Sequence, residues 1–184
     1  MKPRAFLLGL FIAGSLYGCG VAGIQRIVAG FSVGTSSDRY IRFIAADYIR
    51  RIGDESVFVQ NMPGAESIVA ADYLFGAKPD GFTIGAFSGD FALWKAMAAR
   101  GRLFLDPRKF EWLGGVVDQT TKSRLVFALP PGTDKFRVDR LRRAFMDTIR
   151  DPVFVGMAKG NGLSFTPITA EELGTMAAEF TRIP

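Results

Sequence analysis

The chain has 184 residues, 48% of them hydrophobic and 22% charged, enough for one domain with its own core and a short additional segment. It contains no histidine and a single cysteine, Cys19. This excludes Ser-His-Asp and Cys-His catalysis, every zinc site that needs imidazole, and an intramolecular disulfide. The net charge of +5 comes from 23 basic and 18 acidic residues, and without Lys2 and Arg4 the balance is 21 against 18.

Residues 1–23 have the layout of a signal peptide: Lys2 and Arg4 at a positive start, an apolar run from Ala5 to Tyr17, then small residues at Gly18, Cys19, Gly20, Ala22 and Gly23. The run is shorter than the roughly 20 apolar residues a membrane-spanning helix needs. Two processing routes fit. Leu16-Tyr17-Gly18-Cys19 is similar to a lipoprotein box, which would make Cys19 a lipidation site and the new N-terminus. Alternatively, a signal peptidase would cut after Ala22 or Gly23. Either route exports the remainder, so the expected location is the periplasm, with a lipid anchor in the first case.

Residues 24–184 then alternate between strand and helix signals. Ile24–Phe31 reads as a buried strand, followed by the small, polar loop Ser32–Ser37. Ile41, Ile44, Ala45, Tyr48, Ile49 and Ile52 form one helical stripe. Ser36 or Ser37 is the expected cap, Asp38 suits the first turn and Gly53 the end. Val57–Gln60 is a second strand, Asn61–Ala65 a turn, and Ser67–Gly76 a second helix. Phe82–Phe87 is a third strand, and Ser88-Gly89-Asp90 leads into a helix over Phe91–Arg100. Phe110–Val117 and Leu125–Leu129 read as further strands, and Pro130–Thr133 as a stiff turn. The stripe Val138, Leu141, Ala144, Phe145, Thr148 and Ile149 marks a helix that Asp151-Pro152 breaks or restarts. Thr169 with Glu172 three residues later is a capping box for a last helix.

This order predicts an α/β fold: a three-layer αβα domain around a mostly parallel sheet. Ligands of such sheets sit in the loops at the carboxyl ends of the strands, here Ser32–Ser37, Asn61–Glu66 and Ser88–Asp90. The first loop is the leading site candidate. Thr35, Ser36, Ser37 and the free N–H groups of a helix start would attract a phosphate or a carboxylate. Plain helix capping without any ligand is the alternative use of the same residues. Phe31 and Gly34 would border this site, Asp38 would order the helix start, and Asn61 and Ser88 would approach from neighbouring strand ends. No nucleotide-binding glycine motif and no nucleophile elbow is present, and no catalytic residue, metal or cofactor is assigned. Trp94 and Trp112 are expected in the core. Arg137, Arg140, Arg142 and Arg143 lack interleaved aromatic residues, so they are read as a solvated helix face, with no nucleic-acid partner.

Four segments resemble the tripartite tricarboxylate transporter receptors, the Bug family of periplasmic binding proteins. They are Ile27–Asp38, Val59–Ala65 (similar to Val-x-Asn-x-Pro-Gly-Ala), Ala77–Ile84 (similar to Pro-Asp-Gly-Tyr-Thr-Leu) and Asp106–Phe110. Residues 130–184 are similar to the family's C-terminal stretch through Pro130–Thr133, Asp151-Pro152 and Thr169–Glu172. The resemblance implies one lobe of a type II periplasmic binding protein and a small organic carboxylate as ligand. It further implies transporter membrane subunits as partners. Family members close their ligand between two lobes, the second inserted before the tail. Here Val116–Leu129 joins the two parts almost directly, so the resemblance implies that the second lobe is missing and that binding is weak or lost. A homodimer in which a second copy replaces the lost wall is a further expectation. Gly34-Thr35 and Glu66 also depart from positions where the family carries glycine. A shortened paralogue without ligand binding and an envelope interaction module are the competing functions.

Overall fold

Alternation along the strands sorts the apolar residues onto two faces. The computed structural model describes residues 24–53, 56–101 and 105–181, so residues 1–23, where a leader is expected and which include Cys19, lie outside the described residues. In strand β1 (Ile24–Ala29), Ile27 and Ala29 point to one face and Val28 to the other. Strand β5 (Arg124–Leu129) repeats this with Leu125, Phe127 and Leu129 against Val126 and Ala128. Helices α1 (Ser36–Ile52), α4 (Lys135–Arg150) and α5 (Pro152–Gly160) cover the first face. Helices α2 (Ile68–Phe75), α3 (Phe91–Ala99) and α6 (Ala170–Ala178) cover the second. The fold is thus a three-layer α/β domain with a core on each side of one sheet, and it matches one lobe of a periplasmic binding protein.

The sheet contains β1 and β5 with β2 (Ser56–Asn61), β3 (Thr83–Ser88), β4 (Glu111–Asp118) and β6 (Phe165–Ile168), in the order β2-β1-β3-β5-β4-β6. Strand β1 pairs in parallel with β2 and β3. Strand β5 runs against β3 and β4, and β6 against β4, so β1, β2, β3 and β4 share one direction. Their carboxyl ends therefore open on one rim, together with the turn that links β4 to β5. A bulge in β4 sets both Leu113 and Gly114 toward α4. Gly114 has φ 143° and no room for a Cβ, which would meet the Met146 sulfur at 2.9 Å.

The expected strands and helices are present within a residue or two at most ends. Strand β6 is the exception: its four residues include Pro167, which an edge strand tolerates and a sequence pattern reads as a loop. Asp151-Pro152 restarts a helix. The Asp151 side chain accepts from the Val153 and Phe154 N–H groups, and Pro152 takes the first helical position. The Thr169–Glu172 capping box is formed in both directions. Trp94 and Trp112 are buried on the α2-α3-α6 side.

Three of the four clustered arginines on α4 fasten other elements. Arg137 lies over the Phe82 ring at 4.8 Å, Arg140 donates to the Ile52 carbonyl at the end of α1, and Arg142 donates to the Trp112 carbonyl at 2.9 Å. They satisfy carbonyls that helix and strand ends leave open.

Phe145 joins α4 to the sheet, with its ring 4.8 Å from Phe127 and 6.0 Å from Tyr48. It is 1% exposed. Phe145→Ala should cost about 3–5 kcal/mol of stability in urea unfolding, because the rigid sheet behind it cannot collapse into the cavity. A loss below about 1 kcal/mol would contradict this packing.

Candidate functional site

The loop after β1 turns on a buried carboxylate. Thr35, not Ser36 or Ser37, caps α1: its hydroxyl accepts from the Asp38 N–H at 3.3 Å and donates to the Ser32 carbonyl at 2.9 Å. The reason lies one turn further on. The side chain of Asp38 is only 3% exposed, and it folds back to accept from the Gly34 N–H at 2.9 Å. Gly34 has φ 81°, which suits glycine at that place. Asp38 also accepts from Asn61 at 2.8 Å and from Arg42 Nε at 3.1 Å. Arg42 donates on to the Asn61 carbonyl oxygen at 2.8 Å, and Asn61 spends its other N–H on the Phe31 carbonyl at 2.9 Å. Burial alone would raise the Asp38 pKa. The bonds from Arg42, Asn61 and the Gly34 N–H outweigh it and hold the carboxyl below its ordinary value.

This network assigns the expected site residues different states. Thr35, Asp38, Asn61, the Phe31 carbonyl and the Gly34 N–H are saturated by one another. Ser36 is exposed and Ser37 half-buried. Among the described residues neither hydroxyl has a partner, and the N–H groups of both head α1 without an acceptor. They are the open donors of this loop.

Ser67 ties the second and third loops to the first. It is 2% exposed, and its hydroxyl donates to the Gly30 carbonyl at 3.0 Å and accepts from the Ser88 N–H at 3.1 Å. Gly30 is required there, since a Cβ would come within 2.4 Å of the Ser67 Cβ. Ala65, Glu66 and Ser67 are consecutive non-glycine residues with φ of 46°, 53° and 71°. Left-handed backbone at such residues costs roughly 1–2 kcal/mol each. In the sequence Ser67 read as the start of a helix, and no motif marked it as a brace. It precedes α2 without capping it.

The turn between β4 and β5 forms the fourth part of the rim. Asp118 accepts from the Thr120 N–H at 2.7 Å and the Thr121 N–H at 3.1 Å, and its backbone pairs with Lys122 and Ser123. Lys122 has φ 61°. Between this turn and the loop after β3 lies a predominantly polar groove of about 360 Å³. It is lined by Glu66, Ser88, Gly89, Asp90, Thr121, Lys122, Ser123 and Arg124. Of this groove's residues the sequence named Ser88 as a ligand contact, and Glu66, Gly89 and Asp90 lie in the strand-end loops it singled out. Lys122 and Arg124 carried no motif, and only their position in a strand-joining turn could have pointed to them. A second opening of about 420 Å³, mostly apolar, runs between α1 and α5 beside Phe43, Phe154 and Met157, away from the strand ends.

No family model matches the chain, and no curated protein sequence matches it. Among solved structures, the periplasmic binding protein BugD is similar at 14% identity and TM-score 0.71, over 85% of this chain and 93% of that chain. A TctC solute-binding protein from Polaromonas is similar at 10% identity and TM-score 0.70, over 85% and 94%. MatC from Rhodopseudomonas palustris, solved with bound malate, is similar at 13% identity and TM-score 0.67, over 85% and 96%. At these identities the likeness is one of fold. The chain has a fold of the periplasmic solute-binding class, and its structural neighbours are Bug and TctC receptors.

The Asp38 network has a pH signature. Its folded pKa lies below the unfolded value of about 3.9, so its stabilisation is fully present above that value and is lost as pH falls through the folded pKa. Asp38→Ala should cost about 1.5–3 kcal/mol at pH 7, the worth of hydrogen bonds to a charged group. The difference from wild type should shrink as the pH falls below the unfolded value and through the folded one. Chemical denaturation over a pH series from 7 downward measures it, and a difference that stays constant throughout would refute the assignment.

Proposed function

We propose that this chain is an exported, non-catalytic binding protein: a single lobe, residues 24–184, related to receptors for small organic carboxylates and preceded by a leader over residues 1–23. It would reside in the periplasm, lipid-anchored if Cys19 is the processed N-terminus. The observation that carries this reading is the rim itself. Asn61 and Ser67 lock three strand-end loops together, and the Ser36 and Ser37 N–H groups and hydroxyls stay open at the start of α1. Backbone N–H groups at a helix start favour a carboxylate. The likeness to receptors, one of them solved with malate, supports the ligand class.

The single-lobe reading is supported by the β4–β5 turn, a short hairpin at the place where the resembled family inserts its second lobe. The structural matches reach 93–96% of the neighbours' chains, so they engage residues near both ends of them. That agrees with a chain that keeps a receptor's opening and its tail. With no opposing lobe to enclose it, a carboxylate would bind in the millimolar range unless a second copy or a transporter membrane subunit supplies the other wall.

Titration calorimetry with succinate tests the site. Ser36→Ala with Ser37→Ala should weaken binding at least threefold and change stability by less than about 0.5 kcal/mol, since Thr35 is the cap. Equal binding by the double variant, or no binding by wild type at tens of millimolar succinate, would remove the carboxylate assignment. Export is tested separately by cell fractionation. Envelope localisation is expected, and full-length protein in the cytoplasm would refute it. Fatty-acid label lost in Cys19→Ala would establish the lipoprotein route.

A further inference from the structure

The sheet has two outer strands, and they are finished differently. Strand β6 is four residues long and carries Pro167, features that blunt an edge against further pairing. Strand β2 is six residues long, Ser-Val-Phe-Val-Gln-Asn, with no proline and no charge. Among the described residues it pairs only with β1. Arg26, opposite Phe58 on β1, does not guard this edge. It donates to the Thr83 hydroxyl at 3.1 Å and lies over the Tyr73 ring at 5.2 Å.

The backbone of β2 turns a defined set of groups outward. The Met62 N–H donates inward to the Ala29 carbonyl at 2.7 Å. Direction alternates along a strand, so Phe58 and Gln60 also turn their N–H and C=O toward β1, and Val57 and Val59 turn theirs to the open edge. The side chains alternate as well. Val57 and Val59 pack toward α1, and Phe58 stands on the opposite face, 57% exposed. Ile24 of β1 is exposed on that face too.

We propose that β2 is the docking edge for a second copy of this chain. The two β2 strands pair antiparallel about a twofold axis at Phe58 and join the two sheets into one. The order of residues is symmetric about that point: a valine on each side of Phe58, then Ser56 on one side and Gln60 on the other. The twofold therefore sets Phe58 against Phe58, Val57 of each copy against Val59 of the other, and Ser56 against Gln60. Apolar residues meet apolar ones, and no like charges meet. The backbone agrees with this register. The two Phe58 residues form a pair without hydrogen bonds, in which side chains approach most closely, because their N–H and C=O groups already serve β1. Val57 and Val59 exchange N–H to C=O bonds across the seam. An unrelated strand would gain nothing from the symmetry, so the pattern singles out a second copy. Because the paired strands run in opposite directions, the carboxyl-end rims of the two copies open away from each other. This dimer supplies no second wall to the carboxylate site and does not depend on that reading.

The test is sedimentation, over the micromolar range, of protein purified from cells that express the full chain. A dimer is expected. Phe58→Lys should weaken association about tenfold or more with Tm unchanged, because it opposes like charges at an exposed position. Cross-linking fixes the register. On oxidation, Phe58→Cys should give a covalent dimer whose peptide map joins the two introduced cysteines. Gln60→Cys should give none, since that position faces Ser56 of the other copy, and Cys19 is common to both variants. A wild type that stays monomeric throughout would overturn the proposal. So would a Phe58→Lys variant that associates as wild type does, or equal cross-linking by the two cysteine variants.

Discussion

A carboxylate withdrawn from water must find its compensation within hydrogen-bond reach, and the rim of this lobe is arranged around one such group. Asp38 takes hydrogen bonds from the backbone at Gly34, from the Asn61 amide and from the Arg42 guanidinium. The three donors come from three places: the loop after β1, the end of β2 and the second turn of α1. Satisfying one anion therefore fixes the path of the loop, the start of the helix and the side-chain geometry at the neighbouring strand end. Asn61 cannot be exchanged casually, because its two N–H groups and its carbonyl oxygen are all occupied. Ser67 extends the same principle to β3, bridging Gly30 and Ser88 with one hydroxyl. The left-handed run over Ala65, Glu66 and Ser67 delivers that hydroxyl to a point no regular helix start would reach.

The consequence for binding is a division of labour. Groups that a sequence reader would assign to a ligand are largely the ones that hold the rim together. What is left for a guest is either at the first turn of α1, where Ser36 and Ser37 face outward, or in the groove bounded by the β4–β5 turn. The first offers donors and a helix dipole but no opposing wall. The second lies between the loop after β3 and the β4–β5 hairpin.

Much of the fold was legible because strand and helix periods separate cleanly here. The stripe from Ile41 to Ile52 follows one helical period and supplies much of the core under α1, and the short run Phe82–Phe87 sends Ile84 and Ala86 to that core and Phe87 to the other. Strand β6 escaped because its pairing is decided by β4, through partners such as Gly115 and Ile168 that are far apart in the chain. The site was legible only in outline. Sequence placed Thr35, Asp38 and Asn61 in loops at the strand ends, but whether a donor is open or already engaged depends on which partner folds back onto it. The Ser67 brace and the Lys122–Arg124 wall are products of tertiary placement, with no periodicity or motif of their own.

The basic surplus of the chain is informative only once it is sorted by partner. On α4, Arg137, Arg140 and Arg142 lie across the Phe82 ring or on carbonyls at the ends of other elements, so their charge is largely spent on holding α4 against its neighbours. Arg51 bridges Asp47 and Asp151, tying α1 to the start of α5. Lys122 and Arg124 are different. They stand on a hairpin whose turn is already stabilised by Asp118 and whose strand pairing does not involve their charged ends. A cation that fastens an element has a structural reason to be where it is. The charged ends of Lys122 and Arg124 make no ion pair or hydrogen bond among the described residues. The net charge of +5 would have suggested a diffuse affinity for anions. Sorted this way, part of the surplus is spent on fastening elements to one another, so the net charge overstates what is free to attract an anion.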